Sequence, residues 1–184
     1  MKSALVIIDI QNFYFGPDGL ENPEQAADNT KQVLDCFRKH NLPIYHVQHM
    51  SEEMAALAPE KREKAVDIYP LLAPMNGEKV YIKHAPSAFY KTGLSDDLLS
   101  QGVTHLVICG MMSHMCIDTS VRAAMDYGFT VTLIDDTCTT RDLEWKGTII
   151  PAKTAHETMM SALNGVFAKV ISTDEFIHNA DEMM

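Results

Sequence analysis

Two of the four cysteines stand close together in VICGMMSHMCIDTSVRAAMDYG, and their surroundings differ. Cys109 ends an apolar, β-branched run, where a thiol is usually buried and inert. Cys116 opens a segment of helical period, and a helix that begins near Ser113 places it in the first turn. Free backbone N–H groups and the positive end of the helix dipole favour a thiolate there. Cys116 is therefore a candidate nucleophile, although a small buried helix residue would fit the same placement.

An acid and a base follow two other apolar runs. Asp9 comes directly after LVII, and Lys83 comes directly after VYI. Taken singly, Asp9 can be a turn carboxylate and Lys83 a lysine that reaches solvent. If both runs are strands of one parallel sheet, their ends lie along the same edge as the turn that contains Cys116. An acid, a base and a thiol at one edge form a candidate set for nucleophilic catalysis.

The elements that must position these side chains alternate along the chain. Short apolar runs predict strands at 4–10, 42–48, 79–83, 104–110, 129–135 and 168–173. Segments of helical period lie at 23–40, 93–101, 115–127 and 151–165. Continuous apolar strands that alternate with helices predict an α/β fold, with three layers (αβα) around a mostly parallel six-stranded sheet. The less regular segments 51–78 and 136–150 are candidate loops or lids near the catalytic edge.

Length and composition limit the class of protein. The chain has 184 residues, which suits a single domain over 1–184. Its formal net charge of -10 comes without a basic stripe, so nucleic acid is not expected as a partner. No apolar run approaches the roughly 20 residues needed to cross a bilayer, and no signal-peptide cleavage site follows the first apolar run. We therefore expect a cytoplasmic protein, without a membrane partner, whose cysteines are mostly reduced.

The sequence resembles the isochorismatase-like cysteine hydrolases, the superfamily that also contains nicotinamidases and N-carbamoylsarcosine amidase. The similarity is carried by ALVIIDIQNFY around Asp9, YIKHAPSAF around Lys83, LVICGMMSHMCIDTSVRAAMDYGFTVTLIDD around Cys116, and the late AHETMMSALNGVFAKVISTDE. It implies an isochorismatase-like, Rossmann-like fold and a catalytic triad of Asp9, Lys83 and Cys116. It also implies a cis peptide bond between Met111 and Met112, which would aim the backbone N–H groups of Met112 and Cys116 at an oxyanion.

The activity that the resemblance implies is hydrolysis of a C–N bond other than a peptide bond, of the amide, ureido or carbamoyl type, in a small-molecule substrate. Cys116 would attack the carbonyl to give a thioester, with Asp9 as general base and acid and Lys83 as charge stabiliser. No cofactor is expected. Assembly into a homodimer or homotetramer is expected from the resemblance alone.

Three alternatives remain open from the sequence. Isochorismatases proper cleave a vinyl ether and generally lack the nucleophilic cysteine, which is present here. Nicotinamidases hold a metal with an Asp-x-His after the second strand, whereas this region reads IYHVQHMSEE, with His46 and His49 but no Asp-x-His. We therefore expect no catalytic metal, although the sequence leaves open whether His46, His49 or His84 binds one. The third alternative is a non-catalytic binding or assembly module that kept the fold.

Candidate substrate contacts occur near each member of the triad. An aromatic residue of FYF, after the first strand, is expected by family likeness to line the pocket, and Phe13 is favoured. Phe89, from SAF, and His114, in the nucleophile turn, are further candidates with structural alternatives. The methionines of the turn favour an adaptable apolar wall, and hence a small, largely uncharged substrate. Arg141 and Asp142 are expected to pair, and a subunit contact is one place where they could do so.

Overall fold

Strands and connecting helices alternate through most of the chain. The computed structural model of the protein describes residues 2–16 and 19–180, without the side chains at 62 and 63. The strands in this part are β1 Ser3–Ile8, β2 Ile44–His49, β3 Lys79–Lys83, β4 His105–Met111, β5 Thr130–Thr139, β6 Leu143–Trp145, β7 Thr148–Ile150 and β8 Lys169–Ile171. The helices are α1 Pro23–Lys39, α2 Glu52–Ala55, α3 Pro59–Val66, α4 Leu94–Ser100, α5 Asp118–Asp126, α6 Ala152–Leu163 and α7 Thr173–His178.

Six strands form one sheet in the order β3-β2-β1-β4-β5-β8. Every pairing within this sheet is parallel. The chain builds outward from β1 to β2 and β3 on one side, and then returns to place β4, β5 and β8 on the other. The strand order therefore reverses between β1 and β4, and ligands of open α/β sheets bind outside the carboxyl ends of the strands at such a reversal. The prediction of a six-stranded parallel sheet flanked by helices is confirmed.

Helices cover both faces of the sheet. Side chains alternate between the two faces along each strand, and both sets are largely apolar in the central strands, so each face must be covered. The face that carries Val6 and Ile8 packs against α4, α5 and α6. The face that carries Leu5 and Ile7 packs against α1 and α7. The central strands β1 and β4 are buried along their whole length, which explains why they read as continuous apolar runs. Within the described residues no helix combines the length and apolar character needed to span a membrane.

The main departures from the predicted elements lie in the irregular segments and around Cys116. Segment 51–78 contains the short helices α2 and α3, and segment 136–150 contains the antiparallel hairpin β6–β7. The helix predicted over 115–127 begins only at Asp118, because Ser113–Ile117 form a π-helical turn. Helix α7 was not predicted from the sequence, and its Phe176 closes the core on the α1 side.

Two contacts draw the strand ends together at the reversal. Gly110 of β4 has a φ of 138°, and a Cβ at this position would lie 2.0 Å from the carbonyl oxygen of Ile8. Only glycine allows β4 to approach β1 this closely. The buried Gln11 amide donates to the carbonyls of His49 at 3.1 Å and Val66 at 2.6 Å, and it accepts from the His49 N–H at 2.7 Å. Gln11 thus ties the chain after β1 to the end of β2 and to α3.

Candidate active site

The side chains of Asp9, Lys83 and Cys116 meet at the strand-order reversal. Lys83 Nζ lies 2.7 Å from Asp9 Oδ2 and donates a hydrogen bond of 3.2 Å to Cys116 Sγ. It also donates to the carbonyl of Ala85 at 3.1 Å. Asp9 and Lys83 are completely buried, and Cys116 is 4% exposed. Side chains from three strand ends therefore form one buried polar cluster in which Lys83 is the central member.

Local backbone geometry aims the acid and the base at this point. Asp9 follows β1 with a φ of 56°, a left-handed conformation that aspartate tolerates better than most residues. Its N–H still donates to the carbonyl of Val47 at 2.9 Å, so the chain bends while it stays attached to β2. Lys83 is the last residue of β3 and pairs with His49 of β2. It is the buried end of a strand that is otherwise largely exposed.

The turn that contains Cys116 differs from the helix start that the sequence predicted. Cys116 lies in the π-helical turn between β4 and α5. Ser113 does not cap a helix with its side chain, so that expectation is wrong; its hydroxyl pairs with His156 Nδ1 of α6 at 2.8 Å. The Met112 carbonyl accepts the N–H groups of Met115 at 3.0 Å and of Ile117 at 3.2 Å. The Met111–Met112 peptide bond is cis, at the position that the family resemblance indicated.

Burial controls the protonation of the cluster. Loss of hydration, reinforced by the nearby Asp9 carboxylate, raises the pKa of Cys116 to about 12, against the opposing charge of Lys83. Burial also raises the pKa of Asp9 to about 6, although Lys83 and the thiol lower it. The expectation that a helix start favours a thiolate is therefore corrected: desolvation and Asp9 outweigh the turn's N–H groups. At neutral pH Cys116 is therefore a thiol and Asp9 mainly a carboxylate, and both lie beside Lys83.

A cavity of about 370 Å³ opens over Cys116. Phe13, the favoured aromatic residue, lines it, and so does its neighbour Tyr14. Burial, together with the nearby Asp9 and Cys116, raises the pKa of Tyr14 above its ordinary value, so the phenol stays protonated. The other lining residues are Gly19, Leu20, His49, Met54, Pro86, Met112, Met115, Cys116 and Arg141. The walls are mainly apolar, with polar groups at few points, as is usual for small-molecule sites.

Two predicted substrate contacts lie elsewhere. Phe89 is 3% exposed and stacks in the core against Phe129, with ring centroids 6.2 Å apart. That prediction is corrected: the N–H of Ala88 donates to Ser120 of α5 at 2.9 Å, which turns the SAF segment towards the helical layer. His114 is directed at Thr140, with 2.5 Å between its Nδ1 and the threonine hydroxyl oxygen, and it is not among the residues that line the cavity. The expectation for His114 is corrected in the same way.

Two cavity-lining residues come from the irregular segments 51–78 and 136–150. Met54 lies on α2, and Arg141 follows β5, so both come from the segments marked as candidate lids. Arg141 does not pair with Asp142 as expected, because Asp142 accepts the N–H of Ala152 at 2.8 Å and caps α6. His49 Nδ1 lies 3.4 Å from Lys83 Nζ; burial, then the charge of Lys83, lowers the pKa of His49 to about 4. His49 is therefore a neutral acceptor beside Lys83.

The histidines considered as metal ligands have other partners. His46 Nε2 lies 2.8 Å from Glu78 Oε2, and Glu78 is in turn bound by Arg38. His46 and His49 project from opposite faces of β2, as expected for residues three apart in a strand. His84 Nδ1 donates to the carbonyl of Met50 at 2.8 Å. Across residues 2–16 and 19–180, no three His, Cys, Asp or Glu side chains are grouped to hold a metal ion.

A helix-covered parallel sheet with an acid, a base and a thiol at its strand-order reversal is typical of an α/β-class enzyme that catalyses hydrolysis. Residues 3–175 match the family model described as the isochorismatase domain. The chain belongs to the isochorismatase family of hydrolases.

Relatives agree with this assignment over nearly the whole chain. The chain is 42% identical over 179 residues to YddQ of Bacillus subtilis strain 168, an uncharacterized isochorismatase family protein, and the match covers 96% of this chain and 99% of YddQ. An isochorismatase crystal structure from Pseudomonas putida KT2440 is 37% identical, with a TM-score of 0.87 over 94% of this chain and 89% of that one. N-carbamoylsarcosine amidase from Thermoplasma acidophilum, at 20% identity and a TM-score of 0.77 over 95% and 98% of the two chains, shares the fold.

Proposed function

We propose that the protein is a cysteine hydrolase that cleaves the C–N bond of a small carboxamide, ureido or carbamoyl compound. The observation that carries this proposal is the position of Lys83 Nζ, 2.7 Å from the Asp9 carboxylate and 3.2 Å from the Cys116 sulfur. A lysine between an acid and a thiol, at the base of a cavity that reaches the thiol, suits a nucleophile that is activated only when substrate is present.

The first step is attack by Cys116. The thiol is protonated in the free protein, so it must lose its proton as the S–C bond forms, and Asp9 is the adjacent base. Lys83 then offsets the charge that develops on sulfur. The carbonyl oxygen takes up the electron pair of the C=O bond, and we assign the backbone N–H groups of Met112 and Cys116 to bind this oxyanion. Both residues line the cavity, which is compatible with that role.

Collapse of the tetrahedral intermediate releases the amine. Asp9, now protonated, returns the proton to the leaving nitrogen, and the acyl group stays on Cys116 as a thioester. Asp9 is again a carboxylate and can take a proton from water, which attacks the thioester. The products are ammonia or an amine together with a carboxylic acid from a carboxamide, or a carbamic acid from a ureido or carbamoyl compound, and the thiol is regenerated. Asp9 therefore accepts and returns each proton of the cycle. Its pKa of about 6 suits this role, because a group whose pKa lies near the working pH can both accept and donate a proton.

The alternatives have less support in the site. Vinyl ether cleavage of the isochorismatase type needs no thiol, yet Cys116 lines the cavity and contacts Lys83. A metal-assisted nicotinamidase would need ligands beside the cavity, whereas His46 and His49 face opposite sides of β2. A non-catalytic module would have no need for a buried acid, base and thiol in contact, since burying charge is costly.

The test is a screen for ammonia release over carboxamides, ureas and carbamoyl compounds, with Cys116→Ala as the paired control. We expect at least one compound to be hydrolysed by the wild type only, and the acyl-enzyme mass to be trapped on Cys116 by rapid acid quenching. A chelator should leave the rate unchanged. Loss of activity with chelator and recovery with zinc would favour the metal-assisted alternative, and hydrolysis that persists in Cys116→Ala would exclude the proposed mechanism.

The pH dependence of kcat/KM tests the role of Asp9 as the general base. Burial raises the pKa of Asp9 from 3.8 to about 6, so the base form is lost as the pH falls through 6. We expect kcat/KM to be level near neutral pH and to fall about tenfold per pH unit below 6. Initial rates in overlapping buffers measure this limb. A profile that stays level down to pH 4 would show that Asp9 is not the group whose proton controls turnover.

A further inference from the structure

Arg141 reaches the cavity from outside the triad. It lies in the short connection between β5 and β6, is exposed, and lines the same cavity as Cys116. No step of the proposed hydrolysis uses its guanidinium. A guanidinium always carries a positive charge in proteins, and it presents its donors in a planar fork that matches a carboxylate.

Among the described side chains, which are those of residues 2–16 and 19–180 other than 62 and 63, no carboxylate lies at ion-pair distance from Arg141. The adjacent acid, Asp142, is used to cap α6. By contrast, Arg38 has Glu78 and Arg122 has Asp118 as ion-pair partners. The guanidinium of Arg141 is thus available to a ligand of the cavity.

Arg141 determines the net charge of the described cavity lining. The described lining residues include no Asp or Glu, and His49 is neutral because its pKa is lowered to about 4. Beneath the cavity, the charges of Asp9 and Lys83 offset each other. Although the whole chain has a formal net charge of -10, the described lining of this cavity carries one net positive charge, that of Arg141. Such a site concentrates small anions and disfavours cations.

We propose that the substrate carries a carboxylate that Arg141 binds, in addition to the C–N bond that Cys116 attacks. This inference rests on the proposed function and narrows its substrate class to small monoamides or carbamoyl derivatives of carboxylic acids. The apolar walls from Leu20, Met112 and Met115 would contact the spacer between the two ends of the molecule. Hydrolysis of a monoamide consumes one water and yields a dicarboxylate and ammonium. The largely uncharged substrate that the methionines suggested is replaced by one with an apolar middle and an anionic end.

The experiment compares matched amides. The monoamides succinamate, glutaramate and adipamate are assayed beside their methyl esters, which keep the amide and lose the charge. We expect the wild type to prefer the anionic member of at least one pair. In Arg141→Gln the ratio of kcat/KM between the anionic and the neutral member should fall by about 10- to 100-fold, mainly through KM, because a hydrogen-bonded charge pair is lost. The same ratio in Arg141→Lys should lie between those of the wild type and Arg141→Gln.

Lys146→Gln is the matched control, since it removes one positive charge from the neighbouring hairpin, at a residue that does not line the cavity. It should leave the ratio unchanged. An equal ratio in wild type and Arg141→Gln would overturn the inference while the proposed function stands, provided that hydrolysis still depends on Cys116. A fall in the ratio for Lys146→Gln as large as for Arg141→Gln would also overturn it, since general electrostatics would then be the cause.

A binding measurement keeps the inference testable if none of these amides is turned over. Cys116→Ala is titrated with the same monoamides, and the shift in melting temperature is compared with that of Cys116→Ala/Arg141→Gln. Half-maximal stabilisation of the double variant should need at least about tenfold more anionic amide. Binding that depends on Arg141 without turnover would contradict the proposed function but support the anion site. Equal binding by both variants, or no binding by either, would overturn the inference.

Discussion

Replacement of Cys116 by alanine is expected to lower kcat/KM on a turned-over amide by on the order of 10⁴-fold or more, because no other group can form the thioester. The loss should appear almost wholly in kcat, since the cavity walls are unchanged. The free energy of unfolding should change by only about 1–2 kcal/mol, the usual range for trimming one buried side chain. Steady-state kinetics and urea unfolding of the same preparations measure the two effects.

Cys109→Ala is the matched control for this prediction. Cys109 is completely buried, but it lies in β4 and faces the α1 side of the sheet, and burial raises its pKa above the ordinary value. Its removal should have a similar effect on stability and little effect on turnover. An electrophilic amide analogue should label Cys116 in a Cys36→Ser background, which removes a more exposed thiol. Labelling of Cys109 at the same rate, or activity retained by Cys116→Ala, would disprove the assignment of the nucleophile.

Breaking the Asp9–Lys83 pair is expected to have the largest effect on stability. Both side chains are completely buried and 2.7 Å apart, so Asp9→Asn leaves an ammonium without its counter-charge, and Lys83→Met leaves a carboxylate. Each single change should lower the free energy of unfolding by about 3–5 kcal/mol and abolish turnover. The double variant Asp9→Asn/Lys83→Met buries no charge, so it should be more stable than the sum of the single changes implies, with a coupling of about 1–3 kcal/mol. Urea unfolding at pH 7 measures all four proteins.

The exposed pair between Lys79 and Asp97 supplies the control on the same strand. Its atoms are 2.5 Å apart, but Lys79 is half exposed, so Lys79→Met should lower the free energy of unfolding by at most about 1 kcal/mol.

The stability of Lys83→Met relative to the wild type should also increase in acid. Burial already raises the pKa of Asp9, and loss of Lys83 raises it further, so the folded state retains the proton and loses stability as the pH rises. Additive single effects, or a Lys83→Met cost that does not vary with pH, would contradict this account.

Sequence patterns predicted the sheet because the burial of each strand shows in its own run of apolar residues. β1 and β4 are covered on both faces, so their apolar runs are continuous, and the residues that follow them must reach one edge. This is why Asp9, Lys83 and the turn of Cys116 could be placed near one another without coordinates. Hydrophobic periodicity also located α1, α4 and α6 close to their observed bounds.

The remaining features depend on contacts that no local pattern contains. The thiol of Cys116 is protonated because of its burial and the proximity of Asp9, not because of its place in a turn. Phe89 follows Lys83 closely in sequence, yet Ser120 draws the intervening backbone towards α5 and into the core. Asp142, the neighbour of Arg141 in sequence, caps α6 instead of pairing with the guanidinium. Such outcomes are decided by competition between tertiary partners, which spacing along the chain does not specify.

The distribution of lining residues over the fold has a consequence for engineering. The proposed chemistry rests on strand ends and on the turn after β4, whereas Met54 and Arg141 come from α2 and from the connection to the β6–β7 hairpin. These two connections do not belong to the parallel sheet, so their length and sequence can change without altering its register. Grafting of alternative segments at 51–66 and 140–150 should therefore redirect this scaffold to new substrates more readily than mutation of its sheet. The same division offers natural selection a route to diversify specificity while the reaction is kept.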